Sequence, residues 1–152
     1  MHNDGTPTTG TSAREQLGGL LAGLIKKAPG TTRALLAAGD GIKVAWTEQH
    51  VDDADNLAAV ISGLYSLGRQ QFKDTAGGIR QVAVEHDGGS LYVMSAGADF
   101  TDDRAVNTVL AVVATPDADP GQVGYQMEAF VRGLEEHLVV QARPSTFTGS
   151  GL

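Results

Sequence analysis

The residues that could do acid–base or metal chemistry are few and scattered along the chain. The four histidines are His2, His50, His86 and His137. None of them shares a helix with a second histidine or carboxylate at metal-ligand spacing, and a metal site needs ligands that converge. The sequence therefore favours surface or helix-capping histidines, and we expect no metal.

The carboxylate groups do not suggest a catalytic pair either. Three aspartates, Asp99, Asp102 and Asp103, fall in a predicted loop, and Glu135 and Glu136 fall on the outer face of a predicted helix. Neither position offers the apolar pocket that raises one carboxyl pKa above that of its neighbour. These groups are expected to be solvated charges.

The nucleophile and phosphate-binding motifs of common enzymes are missing from the sequence. There is no cysteine, no G-x-S-x-G elbow and no G-x-x-x-x-G-K-[ST] loop. The run Gly39-Asp40-Gly41 resembles a dinucleotide fingerprint, but Val44 stands where the third glycine belongs and a strand, not a helix, follows. We expect a protein that is not an enzyme and needs no cofactor.

The composition narrows the class of partner. The chain has 152 residues, 41% hydrophobic residues and a net charge of -7. Nucleic-acid binding requires clustered Lys and Arg, whereas the basic residues here are dispersed, so nucleic acid is not an expected partner. The first residues lack the pattern of a signal peptide, and the apolar runs are too short for membrane insertion. We expect a cytoplasmic protein.

The hydrophobic periodicity predicts one α/β (α+β) domain at residues 14–143 between disordered tails at 1–13 and 144–152. Helices are expected at 14–28, from 52–53 to about 73, and from 119–120 to about 141. Strands are expected at 32–37, 42–47, 79–86, 91–96 and 106–115, and a polar stretch at 97–104. The order α-β-β-α-β-β-β-α predicts a five-stranded, mostly antiparallel sheet in a three-layer α/β/α sandwich.

The second helix is the unusual element of this pattern. Its predicted core arc contains Leu57, Val60, Ile61, Leu64, Gly68 and Phe72. Its opposite arc is polar but short-chained, with Asp55, Ala59, Ser62, Gly63, Ser66 and Gln70. Small side chains allow close approach of another helix. The first and last helices are expected to share one face of the sheet. The second would then lie alone on the other, with this arc free for self-association.

The third strand is a candidate edge. It follows Gly77-Gly78, and its residues Arg80, Val82 and Val84 are predicted to line an edge that pairs with a second copy of the chain. Such pairing would hide an otherwise aggregation-prone edge.

The order and spacing of these segments resemble the roadblock/dynein light-chain family, especially its bacterial members. The matching segments run from Leu17 to Leu138. They are the helix ending at Ala28-Pro29-Gly30, the strand ending at 38–41, the long helix at 57–67, the strand at 79–85, the stretch 109–116 and the helix start at 119–127. The loop 97–104 is longer than is usual in the family.

The resemblance implies a homodimer, formed by side-by-side long helices and paired third strands, that regulates a Ras-like small GTPase. Bacterial members are often encoded beside such a GTPase and a sensor kinase, which makes a kinase complex at the membrane a further possible partner. Carried over to this chain, the dimer seam or GTPase-facing surface would contain Ala59, Ser62, Gly63, Ser66, Arg69 and Gln70. Arg69 is a candidate arginine finger. Two alternatives stay open: a ligand-sensing domain and a purely structural scaffold.

Overall fold

The computed structural model describes the backbone of residues 5–47, 50–96 and 108–150, and the side chains of residues 14–47, 50–96, 108–134 and 136. The helices are α1 (Gly5–Lys27), α2 (Val51–Gln71) and α3 (Pro120–Ser150). The strands are β1 (Thr31–Ala37), β2 (Lys43–Trp46), β3 (Gln81–His86), β4 (Gly89–Ser95) and β5 (Val109–Ala114). This order of elements confirms the predicted order.

The five strands form one sheet in the order β2-β1-β5-β4-β3, and every described pair is antiparallel. β5 is the central strand of the sheet, and the hairpins β1–β2 and β3–β4 lie on either side of it. Leu35 faces Ala111 of β5 and Trp46 of β2, while Ala83 of β3 faces Tyr92 of β4. The predicted antiparallel, three-layer architecture is confirmed.

Helices cover the sheet on both faces, so β5 is buried on both sides. Leu110, Val112 and Ala114 pack in one core with α1 and α3. Val109 and Ala111 point the other way and pack with α2. The uninterrupted apolar run of β5 is explained by this double cover, since a central strand has no solvated face.

Several boundaries differ from the predicted ones. β3 begins at Gln81, not residue 79, because the pairing with β4 starts at Gln81 and Met94. The predicted loop at 97–104 and the predicted start of β5 lie outside the described residues. α1 and α3 extend into both predicted tails. Disorder in those tails stays a prediction. Its basis is that Gly, Thr and Pro, which are frequent there, have low helix propensity.

The tight turn between α1 and β1 packs against the segment that follows β5. Gly30 has a φ of 91°, and a Cβ added there would lie 2.6 Å from the Cβ of Ala118, so no larger residue fits without movement. The Thr115 backbone N–H donates a hydrogen bond to the Gly30 carbonyl oxygen, and the Thr115 hydroxyl donates one to the Asp117 carboxylate. The bond from Thr115 lowers the pKa of the Asp117 carboxyl below its ordinary value.

No helix within the described part of the chain combines the length and the apolarity that crossing a bilayer requires.

Candidate protein-interaction surface

The outer face of α2 is open to solvent along most of its length. Five of the six residues predicted to form a seam or partner surface are exposed, namely Ala59, Gly63, Ser66, Arg69 and Gln70. Ser62 is half-buried, and its hydroxyl donates a hydrogen bond of 3.4 Å to the Ala38 carbonyl oxygen. Ser62 is therefore engaged within the same subunit, at the turn between β1 and β2.

The predicted core arc of α2 was wrong at two positions. Val60 is 43% exposed and Phe72 is 58% exposed, whereas Ala54, Leu57, Ala58 and Ile61 form the buried stripe. The centre of the stripe lies nearer Ala58 than the sequence pattern indicated, which turns Val60 outward. Leu67, absent from both predicted arcs, is 69% exposed.

The two flanks of α2 have different environments. Asp55 forms an ion pair with Lys43, and Ser62 bonds to the β1–β2 turn, so these residues fix one flank to that end of the sheet. At about 100° per residue, Val60 and Leu67 lie about 140° around the helix axis from those two residues. The exposed apolar side chains thus occupy the flank turned away from β1 and β2.

Gly63 lies between Val60 and Leu67, and no contact within one subunit excludes a larger side chain at this position. A Cβ built on Gly63 meets no atom within 4 Å. A glycine inside a helix costs roughly 0.5–1 kcal/mol relative to alanine. The space over Gly63 is therefore available for close approach of another molecule.

β3 is confirmed as an edge strand of the sheet. Five of its six residues are exposed; the exception is Val82, which is half-buried and packs in the core beneath α2. Val84, on the same face as Val82, is 42% exposed. Arg80 is exposed and lies just before the strand. An uncovered edge strand of this length is a template for pairing with another chain.

The hairpin between β3 and β4 determines which backbone groups of β3 are free. His86 pairs with Gly89 across a two-residue turn, and residues in that position exchange both hydrogen bonds. Hydrogen-bonded and non-bonded pairs then alternate along the ladder. The N–H and C=O groups of Gln81, Ala83 and Glu85 consequently point away from β4, towards the open edge.

The chain brings the two predicted sets of residues together in one groove. Arg69 and Arg80, predicted on the helix face and on the edge strand, line the same groove of about 800 Å³ with Ser66 and Gln70. The Arg69 guanidinium lies 5.9 Å from the centroid of the Tyr65 ring. Sequence separation had hidden this proximity, because the segment 72–80 returns the chain from α2 to β3.

The two histidines whose side chains are described both accept hydrogen bonds from nearby backbone N–H groups. His50 caps α2, its Nδ1 accepting from the Asp52 N–H at 3.3 Å, and His86 Nδ1 accepts from the Gly88 N–H at 2.8 Å. The first contact confirms the capping interpretation for His50, and His86 is an exposed residue at the β3–β4 turn. His2 and His137 lie outside the described side chains. The residues described contain no group of three or more potential metal ligands. The arrangement can make protein contacts through an apolar helix flank and an open strand.

Comparison with known proteins identifies a family and solved structures that this chain resembles. Residues 17–114 match the Roadblock/LC7 domain family. A Roadblock/LC7 domain from Streptomyces avermitilis has a TM-score of 0.71 and 37% identity, over 80% of this chain and 97% of that one. No curated protein matches the sequence.

Two more distant structures share the fold. The gliding protein MglB from Thermus thermophilus has a TM-score of 0.65 at 19% identity, over 85% of this chain and 88% of that one. MglB from Myxococcus xanthus has a TM-score of 0.68 at 17% identity, over 82% and 96% of the two chains. The family match, which covers more than half of the chain, and the identity to the Streptomyces domain show that the chain belongs to the Roadblock/LC7 domain family.

Proposed function

We propose that two copies of this chain pair through β3 and α2, and that the dimer binds and regulates a Ras-like small GTPase without catalysing a reaction itself. The observation that carries the proposal is the continuity of two uncovered surfaces, the β3 edge and the apolar flank of α2. Membership of the Roadblock/LC7 family supports the GTPase as partner. The setting would be a cytoplasmic signalling complex, and a sensor kinase is a further candidate member.

The face of α2 complements itself when a second copy runs antiparallel. Its first half carries the small Ala59, and the large Leu67 follows Gly63. Antiparallel pairing centred on Gly63 sets Leu67 against the second copy's Ala59. A two-fold interface requires this kind of self-complementarity. A parallel arrangement would instead place each residue opposite the same residue of the second copy.

The same symmetry restricts the register of the strands. Residues directly opposite one another in an antiparallel pair share a face. Because α2 lies on the same face in both copies, even-numbered residues of β3 must pair with even-numbered residues. The register that pairs Val82 with the second copy's Val84 matches apolar side chains twice and puts Ala83 on the axis.

Ser66, Arg69 and Gln70 lie outside this seam and remain exposed. They are the residues that we assign to the GTPase contact. A bound partner shifts the nucleotide-state equilibrium only by its differential affinity for the two states, so the proposed dimer acts by preferring one of them. In a stricter version Arg69 enters the GTPase site as an arginine finger. An unchanged GTP turnover with Arg69→Ala would reject that version alone.

The dimer is tested by light scattering on wild type and Gly63→Arg. The arginine side chain would fill the space over Gly63, so we expect a wild-type dimer and a monomeric variant. Gly19→Arg is the matched control: Gly19 is also an exposed helical glycine with no atom within 4 Å of its added Cβ. A wild type that stays monomeric at high concentration contradicts the proposal.

The partner is tested by pull-down with a Ras-like GTPase loaded with GDP or with a GTP analogue. Genes that flank this one supply the first candidates. Preferential capture of one nucleotide state supports regulation, whereas equal capture of both states supports the scaffold alternative. Native mass spectrometry that finds a bound metabolite would favour the ligand-sensing alternative.

A further inference from the structure

The groove beside the carboxyl end of α2 has two walls. One wall is the last part of α2 with its C-cap, and the other is the segment that returns to β3. Its volume of about 800 Å³ is far larger than a single inorganic anion requires. Its α2 wall faces solvent on the flank of α2 opposite to Val60 and Leu67, and its other wall ends at Arg80 and Gln81, where the edge proposed to pair in the dimer begins.

The groove is cationic in an acidic protein. Arg69, Lys73 and Arg80 line it, and none of its lining residues is acidic, although the chain as a whole has a net charge of -7. The salt bridges found among the described residues involve none of these three cations. A concave surface with charge of one sign raises the local concentration of ligands of opposite charge.

Stabilisation of the helix end explains only part of this charge. Arg69 and Lys73 sit at the carboxyl end of α2, where cations interact favourably with the helix dipole. Arg80 comes from the opposite wall, eight residues beyond the C-cap residue Phe72, and it has no such role. Arg80 therefore adds a cation to the groove that the helix dipole does not account for.

The groove also exposes apolar surface. Phe72 is more than half exposed, and half-buried Tyr65 and Ile79 lie in the same lining. An inorganic phosphate would leave this surface uncovered. A peptide with one aromatic or aliphatic side chain between carboxylates would cover it and neutralise the cations, because side chains of both kinds then contact their complements.

We propose that this groove binds an acidic peptide segment of a partner protein, with an apolar residue seated against Phe72 and carboxylates at Arg69, Lys73 and Arg80. The inference does not depend on the partner being a GTPase, nor on the dimer. Its specificity comes from the combination of charge and apolar surface. Added salt weakens the binding, since the charges are exposed to solvent.

The test uses the full chain and a short fluorescent peptide of Glu and Asp with one central Phe, followed by fluorescence anisotropy. We expect saturable binding that Lys73→Glu with Arg80→Glu weakens by at least about tenfold. The matched control is Lys26→Glu with Arg132→Glu, which changes the net charge equally at exposed sites outside the groove. That control should alter the affinity less than about twofold.

Four results would overturn the inference. Equal weakening by both double variants would mean that only net charge matters. Equal binding of a peptide with Gln and Asn replacing the acids would mean that charge does not contribute to recognition. Equal binding of a peptide with Ala replacing the Phe would mean that the apolar contact does not contribute. Competition by inorganic phosphate at the same concentration as peptide would indicate an anion site. Light scattering on the same samples reports the dimer separately, so the two proposals fail independently.

Discussion

β2 and β3 close the same sheet at opposite edges, yet their surroundings differ. β2 has four residues, of which Ala45 is buried and Lys43 and Trp46 are half-buried. β3 has six residues, of which only Val82 is half-buried. Both edges present free backbone groups, so the side chains around them decide which edge stays in water.

Charged side chains shield the β2 edge. The Arg14 guanidinium and the Lys43 ammonium lie 5.1 Å and 5.0 Å from the centroid of the Trp46 ring. Lys43 also forms an ion pair with Asp55 of α2. Short strands with lysine at the edge resist pairing with another chain. Val84 of β3 and Val44 of β2 are similarly exposed, but no cation–π contact or ion pair among the described residues involves β3. We infer that the second copy pairs with the β3 edge.

The largest expected effect comes from introducing a lysine at one edge and comparing it with a lysine introduced at the other. Val84→Lys would bury two lysines in the proposed dimer, and about 2 kcal/mol per copy corresponds to roughly a thousandfold weaker association. Val44→Lys on β2 is the matched control, because Val44 is 38% exposed and Val84 is 42% exposed. Analytical ultracentrifugation should show a monomer for the first variant and a dimer for the second. A dimer that survives Val84→Lys and dissociates with Val44→Lys would reverse the comparison.

A proline tests the backbone of the β3 edge. Ala83→Pro removes an N–H that points away from β4. We therefore expect the two copies to associate about a hundredfold more weakly, while the monomer stays folded. Val82→Pro removes an N–H that bonds to β4, and the subunit itself should lose about 3 kcal/mol. Ultracentrifugation and urea denaturation together separate the two outcomes. Similar loss of fold in both variants would contradict the assigned direction of the N–H groups.

The smallest effect is expected at the shielded edge. Arg14→Ala with Lys43→Ala removes two cation–π contacts and one exposed ion pair, which together contribute about 1–2 kcal/mol to the free energy of unfolding. Urea denaturation measures this loss, and light scattering should show new association that grows with concentration. Arg132→Ala with Lys26→Ala removes the same charge elsewhere and should do neither. If both double variants remain equally dispersed and stable, charge does not protect β2.

The element order and the layers followed from the sequence because periodicity is a local property. The strands expected at 79–86 and 91–96 form the β3–β4 hairpin, and the strand expected at 106–115 contains the central β5. The exposed small residues of α2 were also placed on its outer face. The exposure of Val60 was missed, because a pattern of apolar residues does not fix the centre of the buried arc.

The sequence by itself determined the elements, their order and the segregation of small residues on α2, since each depends on neighbours within a few turns or strand positions. The tertiary structure decided which strands are edges, which edge is shielded, and that Arg69 and Arg80 share one groove. Those features depend on residues far apart in the chain, whose proximity is set by packing and strand order rather than by spacing.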